Sequence, residues 1–271
     1  MSRAIRCLLL VVTPWMVLTR TSEAALVING GFEQAPALTG WSSSGETGIA
    51  TIATFGIAPA EGLNQAVTSL EDPGLLSTPS DIESFLGLSS GSLQSLVPPT
   101  TTPAPDVIAG SAIKQSLSVN AGEILTFNWN FITDDVTGAG QTSAPDFAFW
   151  SLRPELSNPV ALANLNTGIF FPTGSTDYPS GTGYQTASYT FTTSGIFTIG
   201  FGVMSVGDLT GKSALLIDNV KIGPLSTVPE PFTAGAVGLA LAISAAGSRL
   251  RRLTRLRGSS PNSSQGSGPR T

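Results

Sequence analysis

A chain of 271 residues with no histidine and one cysteine, Cys7, cannot build a Cys/His zinc site or a Ser-His-Asp or Cys-His nucleophile. Its formal charge of −5 hides an asymmetry. With the first 24 residues set aside, the chain up to Glu230 carries only Lys114, Arg153, Lys212 and Lys221 against seventeen acids, a formal −13. Such a body repels nucleic acid, which is held by lysine and arginine meeting phosphates, and it suits a cation or simple solubility.

Residues 1–24 read as a secretory signal peptide. Arg3 and Arg6 form the basic start, Leu8 to Leu18 the apolar stretch, and Ser22-Glu23-Ala24 the small-residue cleavage site. The stretch is shorter than the about 20 apolar residues of a membrane span. Signal peptidase and the general secretion machinery are the implied partners, with cleavage after Ala24. Cys7 leaves with the signal, so the mature protein has neither disulfide nor thiol.

Residues 25–227 read as one all-β body. Ala25 to Glu33 predicts a strand and then a turn, and Gly48 to Ile57 predicts a second strand. Gly122 to Thr133 gives the clearest signal. Leu125, Phe127, Trp129 and Phe131 alternate with Thr126, Asn128 and Asn130, the period of a half-buried strand. Further strands are expected over Asp146 to Leu152, Tyr184 to Thr193, Gly195 to Met204 and Ser213 to Ile222. Many short strands with Gly/Pro turns predict a β-sandwich of jelly-roll type.

A Ser/Thr/Pro-rich insertion, 71–105, interrupts them. Ser80 three residues before Glu83 is a capping-box pattern, which predicts a short helix over Asp81 to Leu86. Val97 to Pro105 is expected to be an exposed loop. Gly87-Leu88-Ser89-Ser90-Gly91 matches a hydrolase pattern, but the chain has no histidine to serve as its base.

The end of the chain, 228–257, has three unlike parts. Val228-Pro229-Glu230-Pro231 is held extended by its prolines. Phe232 to Ser248 is seventeen residues without a charge, enough as a helix to span roughly 25 Å. Arg249, Arg251, Arg252, Arg255 and Arg257 follow and hold that side in the cytoplasm. One C-terminal transmembrane helix is therefore expected, and 258–271 reads as a disordered tail. The three parts together resemble the PEP-CTERM sorting signal of Gram-negative bacteria. That resemblance implies an exosortase as processing enzyme. It also implies passage from the inner membrane to the outer cell surface or extracellular matrix. The extra tail after Arg257 departs from the usual form.

The body also carries a resemblance. "NGGFE" (Asn29 to Glu33) with Gly40-Trp41, and "ALLIDNVKI" (Ala214 to Ile222), resemble the opening and closing of galactose-binding-like jelly rolls found in carbohydrate-binding modules. Segments between Gly110 and Val220 resemble a recurring ectodomain of PEP-CTERM proteins. The jelly-roll resemblance implies a structural calcium between Glu33 and Asp218, with backbone carbonyls completing its six to eight oxygens. Asp134, Asp135 and Asp208 read as turn formers rather than a second cation site. As adjacent residues, Asp134 and Asp135 make a poor glycosidase pair.

Trp41, Trp129, Trp150, Tyr178 and Tyr184 are the aromatics that could stack on sugar. Trp129 shares its face with Leu125, Phe127 and Phe131 and is expected in the core. Trp150 alternates with Phe147 and Phe149 and is expected to face outward as the stacking platform. The function implied is a non-enzymatic, exosortase-sorted surface or matrix protein, structural or adhesive in exopolysaccharide or biofilm. The competing class is a carbohydrate-binding module whose partner is extracellular polysaccharide.

Overall fold

The computed structural model describes residues 26–34, 36, 38–97, 104–135 and 145–224. The signal peptide, the segment 228–257 with its expected membrane helix, and the tail 258–271 lie outside the described residues. Among the described residues no helix is long and apolar enough to cross a membrane.

In chain order the strands are β1 (Ser42–Ser44), β2 (Thr47–Ala50), β3 (Gln65–Ser69), β4 (Val107–Val119), β5 (Ile124–Thr133) and β6 (Phe147–Arg153). They continue with β7 (Val160–Asn164), β8 (Phe171–Pro172), β9 (Ser180–Gly181), β10 (Gln185–Thr190), β11 (Gly195–Val206) and β12 (Ser213–Gly223). One sheet runs β1-β4-β11-β6-β7 and the other β2-β3-β12-β5-β9-β8, with β10 also paired to β5. All the pairings are antiparallel. The fold is a β-sandwich with two short helices, as the strand pattern predicts.

The sheets close on a core fed by both inner faces. Ile113, Leu117, Trp150, Leu152, Ile199 and Phe201 meet Leu125, Phe127, Phe131, Leu215 and Ile217. Phe127 stands edge-on to Phe201, with ring centroids 4.8 Å apart, and tilts against Trp150 at 5.4 Å. Each buried side chain of this size contributes about 1.5–3 kcal/mol.

The outer faces are not both open. On the five-stranded sheet Ala112, Phe147, Phe149 and Met204 are covered by Ile82, Leu86, Leu93 and Val97 from the insertion. Residues 79–97 are thus a third layer over part of that sheet, and Val97 belongs to the core rather than to an exposed loop; 98–103 lie outside the described residues. Helix α2 (Pro79–Leu86) starts two residues earlier than its sequence pattern suggests. Thr78, not Ser80, is the N-cap, its hydroxyl accepting from the Asp81 N–H at 3.2 Å, and Pro79 occupies the first turn. Gly87 ends the helix at φ +69°, which costs a glycine little. The first glycine of the hydrolase-like pattern is therefore a helix cap. Glu83 is buried and turns away from the N-terminus. Its carboxylate oxygens accept from the Gly91 and Leu93 N–H groups at 2.9 Å each. The Lys114 ammonium sits 4.3 Å from the Phe85 ring centre and donates to the Phe85 carbonyl, tying the cap to β4.

Other sequence expectations need correction. No strand forms over residues 26–34; Asn29 and Phe32 take left-handed φ of +51° and +56° in a turn. The strand expected to reach Ile57 stops at Ala50. There the Thr51 hydroxyl accepts from Ala53 N at 3.2 Å and Thr54 Oγ1 from Thr51 N at 3.0 Å, nucleating helix α1 (Ile52–Phe55). The longest strand, β4, gave no strand signal, because its residues Ala109 to Ile113 are all buried and carry no alternation.

Candidate functional site

The "NGGFE" turn docks on the closing strand. The Gly30 carbonyl accepts from Val220 N at 2.9 Å, and a Cβ on Gly30 would clash with the Val220 carbonyl, so only glycine fits. Trp41 lies in the core against Phe32 at 5.4 Å and Phe201 at 6.0 Å. Its indole N–H donates to the Asn29 carbonyl at 3.3 Å. The two ends of the sandwich that the resemblance paired are thus brought together.

Glu33 and Asp218 take hold of one loop, residues 60–64. Glu33 Oε1 accepts from the Leu63 and Asn64 N–H groups at 2.8 Å each, and its Oε2 from Asn64 Nδ2 at 2.8 Å. Asp218 is fully buried. Its Oδ2 accepts from Glu61 N at 2.8 Å and its Oδ1 from Asn219 N at 2.6 Å. The Asn64 and Leu63 amides hold Glu33 below the usual carboxylate range. Burial first, and the Glu33 charge as well, push Asp218 up to about 6. The donors are all oxygen, as calcium prefers. Yet all four carboxylate oxygens already accept an N–H bond, and the described residues contain no group of three metal-ligating side chains. Backbone carbonyls would have to supply the rest of a calcium shell. Without an ion the pair is a clamp on the 60–64 loop.

At the end of β5, Asp134 and Asp135 shape turns. Asp134 Oδ1 accepts from Lys212 N at 2.6 Å, and Asp135 N donates to Thr133 Oγ1 at 3.0 Å. Asp208 caps its own turn, its Oδ1 accepting from the Thr210 N–H at 3.0 Å and hydroxyl at 2.7 Å. Asp146, just before β6, joins this end of the sandwich as a buried acid. Nothing in the local sequence marked it, since an acid before an apolar strand looks like an ordinary turn residue.

The aromatic assignment reverses. Trp150 is 7% exposed and points between the sheets, against Phe127 and, at 6.0 Å, Tyr189. It is core, not an outward platform. The alternation was real, but the insertion buries the Phe147/Phe149 face as well, so pattern alone could not say which face looked out. Trp41 and Tyr178 are buried. Tyr184 is half-buried, its hydroxyl spent on the Gln65 side chain. Of the three described tryptophans only Trp129 is half-buried rather than buried.

Trp129 lies where the sandwich is open at its flank. In register it faces Gln185 of β10, while Phe127 faces Ala187 and Leu125 faces Tyr189. Among the described strands β10 pairs only with β5, so it forms an edge there. Trp129 and Tyr189 therefore share one face, about 13 Å apart along the strands, with the small Ala187 between them. Tyr189 is half-buried; burial and the neighbouring Glu155 carboxylate, to which its hydroxyl donates, raise its phenol above the usual range, so the hydroxyl stays neutral and what it offers outward is its ring face. Val160 of β7, in register with Trp150, is 40% exposed.

No protein-family model and no curated protein matches the chain. Solved structures that resemble it distantly include the following three. TmCBM61 in complex with β-1,4-galactotriose is 12% identical over 73% of this chain and 97% of its own, with a TM-score of 0.38. A structure from work on promiscuous carbohydrate-binding modules of the β-sandwich superfamily is 12% identical over 69% and 58%, with a TM-score of 0.33. The enzymatically active domain of tailspike protein 4 of bacteriophage CBA120 is 14% identical over 73% of this chain and 21% of its own, at 0.32. TM-scores this low leave fold and function to be read from the chain itself.

Proposed function

We propose that this chain is an exported, non-catalytic polysaccharide-binding β-sandwich that grips glycan along the flank of Trp129, Ala187 and Tyr189. The partial exposure of Trp129 beside the β10 edge carries the reading. Indole and phenol rings offer an apolar face to the C–H side of a sugar ring, and the indole N–H a polar tip to its hydroxyls. Ala187 leaves room between them, and the Gln185 side chain opposite Trp129 adds an uncharged donor and acceptor. The flat, extended edge suits a chain rather than a single small sugar.

The sorting signal supplies the address. Val228-Pro229-Glu230-Pro231, the uncharged run and the Arg249–Arg257 cluster would deliver the body through an exosortase to the cell surface or matrix, where polysaccharide is plentiful. The intact mass of protein recovered from the native surface should end near Val228 to Pro231. A mass retaining 232–257 would replace this reading with a permanent membrane anchor.

Binding is tested by affinity electrophoresis of the secreted protein in gels of soluble polysaccharides, confirmed by calorimetry. Trp129→Ala should weaken binding at least tenfold, about 1.4 kcal/mol, measured well below the variant's own melting temperature, which falls because the indole also packs on the core. Absence of binding to every polysaccharide tried, or equal binding by the variant, would overturn it.

A further inference from the structure

We infer that Asp135 and Asp146 form a proton-operated latch at one end of the sandwich, closed in acid and strained once both carboxyls have lost their protons. Asp146 is 5% exposed. Its Oδ1 accepts from Val206 N at the end of β11 at 3.1 Å, and its carboxyl also meets the Ser213 hydroxyl at the start of β12. Ser213 in turn shares a 2.8 Å hydroxyl bond with Thr133 at the end of β5. The Asp146 N–H points at Asp135 Oδ2, 3.4 Å away. One buried carboxyl therefore joins the ends of β5, β6, β11 and β12.

Among the described residues the charges acting on this carboxyl are negative. Asp135 approaches from the end of β5 and Asp208 from the turn between β11 and β12; Asp134 in turn faces Asp135. The basic residue of this end, Lys212, gives its N–H to Asp134 and sends its ammonium to Asp177 at 3.8 Å. Burial, then the Asp135 charge, push Asp146 up to about 7; burial also raises Asp135. With Asp146 buried and its own N–H against Asp135 Oδ2, a charge on either carboxyl disfavours a charge on the other, and they titrate as a pair. The folded state holds these protons more tightly than the unfolded chain does. Their stabilising effect is complete below the unfolded carboxyl range near 4, declines as pH climbs toward 7, and is gone above that. The latch is independent of glycan binding and of Trp129.

Calorimetric melting of the secreted protein between pH 5 and pH 8 tests it, with carbon-13 NMR of the aspartate carboxyls. The wild-type melting temperature should fall by roughly 5 °C across that range. Asp146→Asn, which keeps a hydrogen-bonding side chain and cannot ionise, should remove at least half of the fall. The Asp146 carboxyl should titrate within a unit of neutrality. If Asp146→Asn fails to fold, Asp135→Asn should move the Asp146 midpoint down by relieving the like charge. An unaltered slope in Asp146→Asn, or an Asp146 midpoint below pH 5, would overturn the latch.

Discussion

Replacing Leu86 by alanine tests whether the insertion is a working layer of the fold. Leu86 is 2% exposed and packs with Phe147, Phe149 and Met204 on the outer face of the five-stranded sheet. It lies against bare backbone: a Cβ placed on Gly200 of β11 would be only 2.5 Å from Leu86 Cδ2. Truncation removes three buried carbons and leaves a void that β11 cannot fill, because a glycine stands opposite. Buried Leu→Ala changes cost about 2–5 kcal/mol. A site near the surface collapses better than a deep one, so a loss of ~3 kcal/mol is expected. For a body of this size 1 kcal/mol corresponds to roughly 2–4 °C, giving a fall of roughly 6–12 °C. Urea unfolding should show the midpoint lowered with the slope unchanged, as for a layer that unfolds with the rest. A shift of less than about 2 °C, with residues 79–97 cleaved by protease before the sandwich unfolds, would refute the docking.

Trp150→Ala should destabilise the protein by about 3–5 kcal/mol, read by urea unfolding, whereas Trp129→Ala costs binding; the reverse pattern would restore Trp150 as the platform. Calcium at the Glu33–Asp218 clamp should raise the melting temperature of the wild type, measured against a chelator, and leave Asp218→Asn unmoved. No shift in the wild type would remove calcium and leave the clamp made of N–H bonds alone. Glu33→Gln, scored by hydrogen exchange of the Leu63 and Asn64 amides, should free the 60–64 loop at a cost of about 1–2 kcal/mol. Unchanged protection of those amides would show that the clamp does not hold the loop.

The sandwich was legible wherever one face of a strand is buried and the other wet. In β5 the alternation of Leu125, Phe127 and Phe131 named the inner face correctly. The reading failed where the third layer intervenes. β6 is apolar on both sides and the first half of β4 is buried on both, so β4 alternates only from Ile113 onward and Trp150 was aimed the wrong way. Trp129 packs on the core as its alternation predicts, yet stays half-buried. Its neighbours on the strand are core, but the partner strand beside it is an edge, and a one-dimensional pattern does not show where a sheet stops. The clamp residues Glu33 and Asp218 were legible only through a resemblance of motifs, because 185 positions separate them. Asp146 was not legible, since its setting comes from β11 and β12.

Because residues 79–97 sit over part of the five-stranded sheet, some of the broadest surface a sandwich can offer is taken up by the protein's own chain. Recognition is pushed to the rims and edges, where loops rather than strands set the shape. Sequence change within the covering segment should therefore behave as change in an interior, altering how readily the molecule unfolds. Change at the β10 rim should alter what it holds.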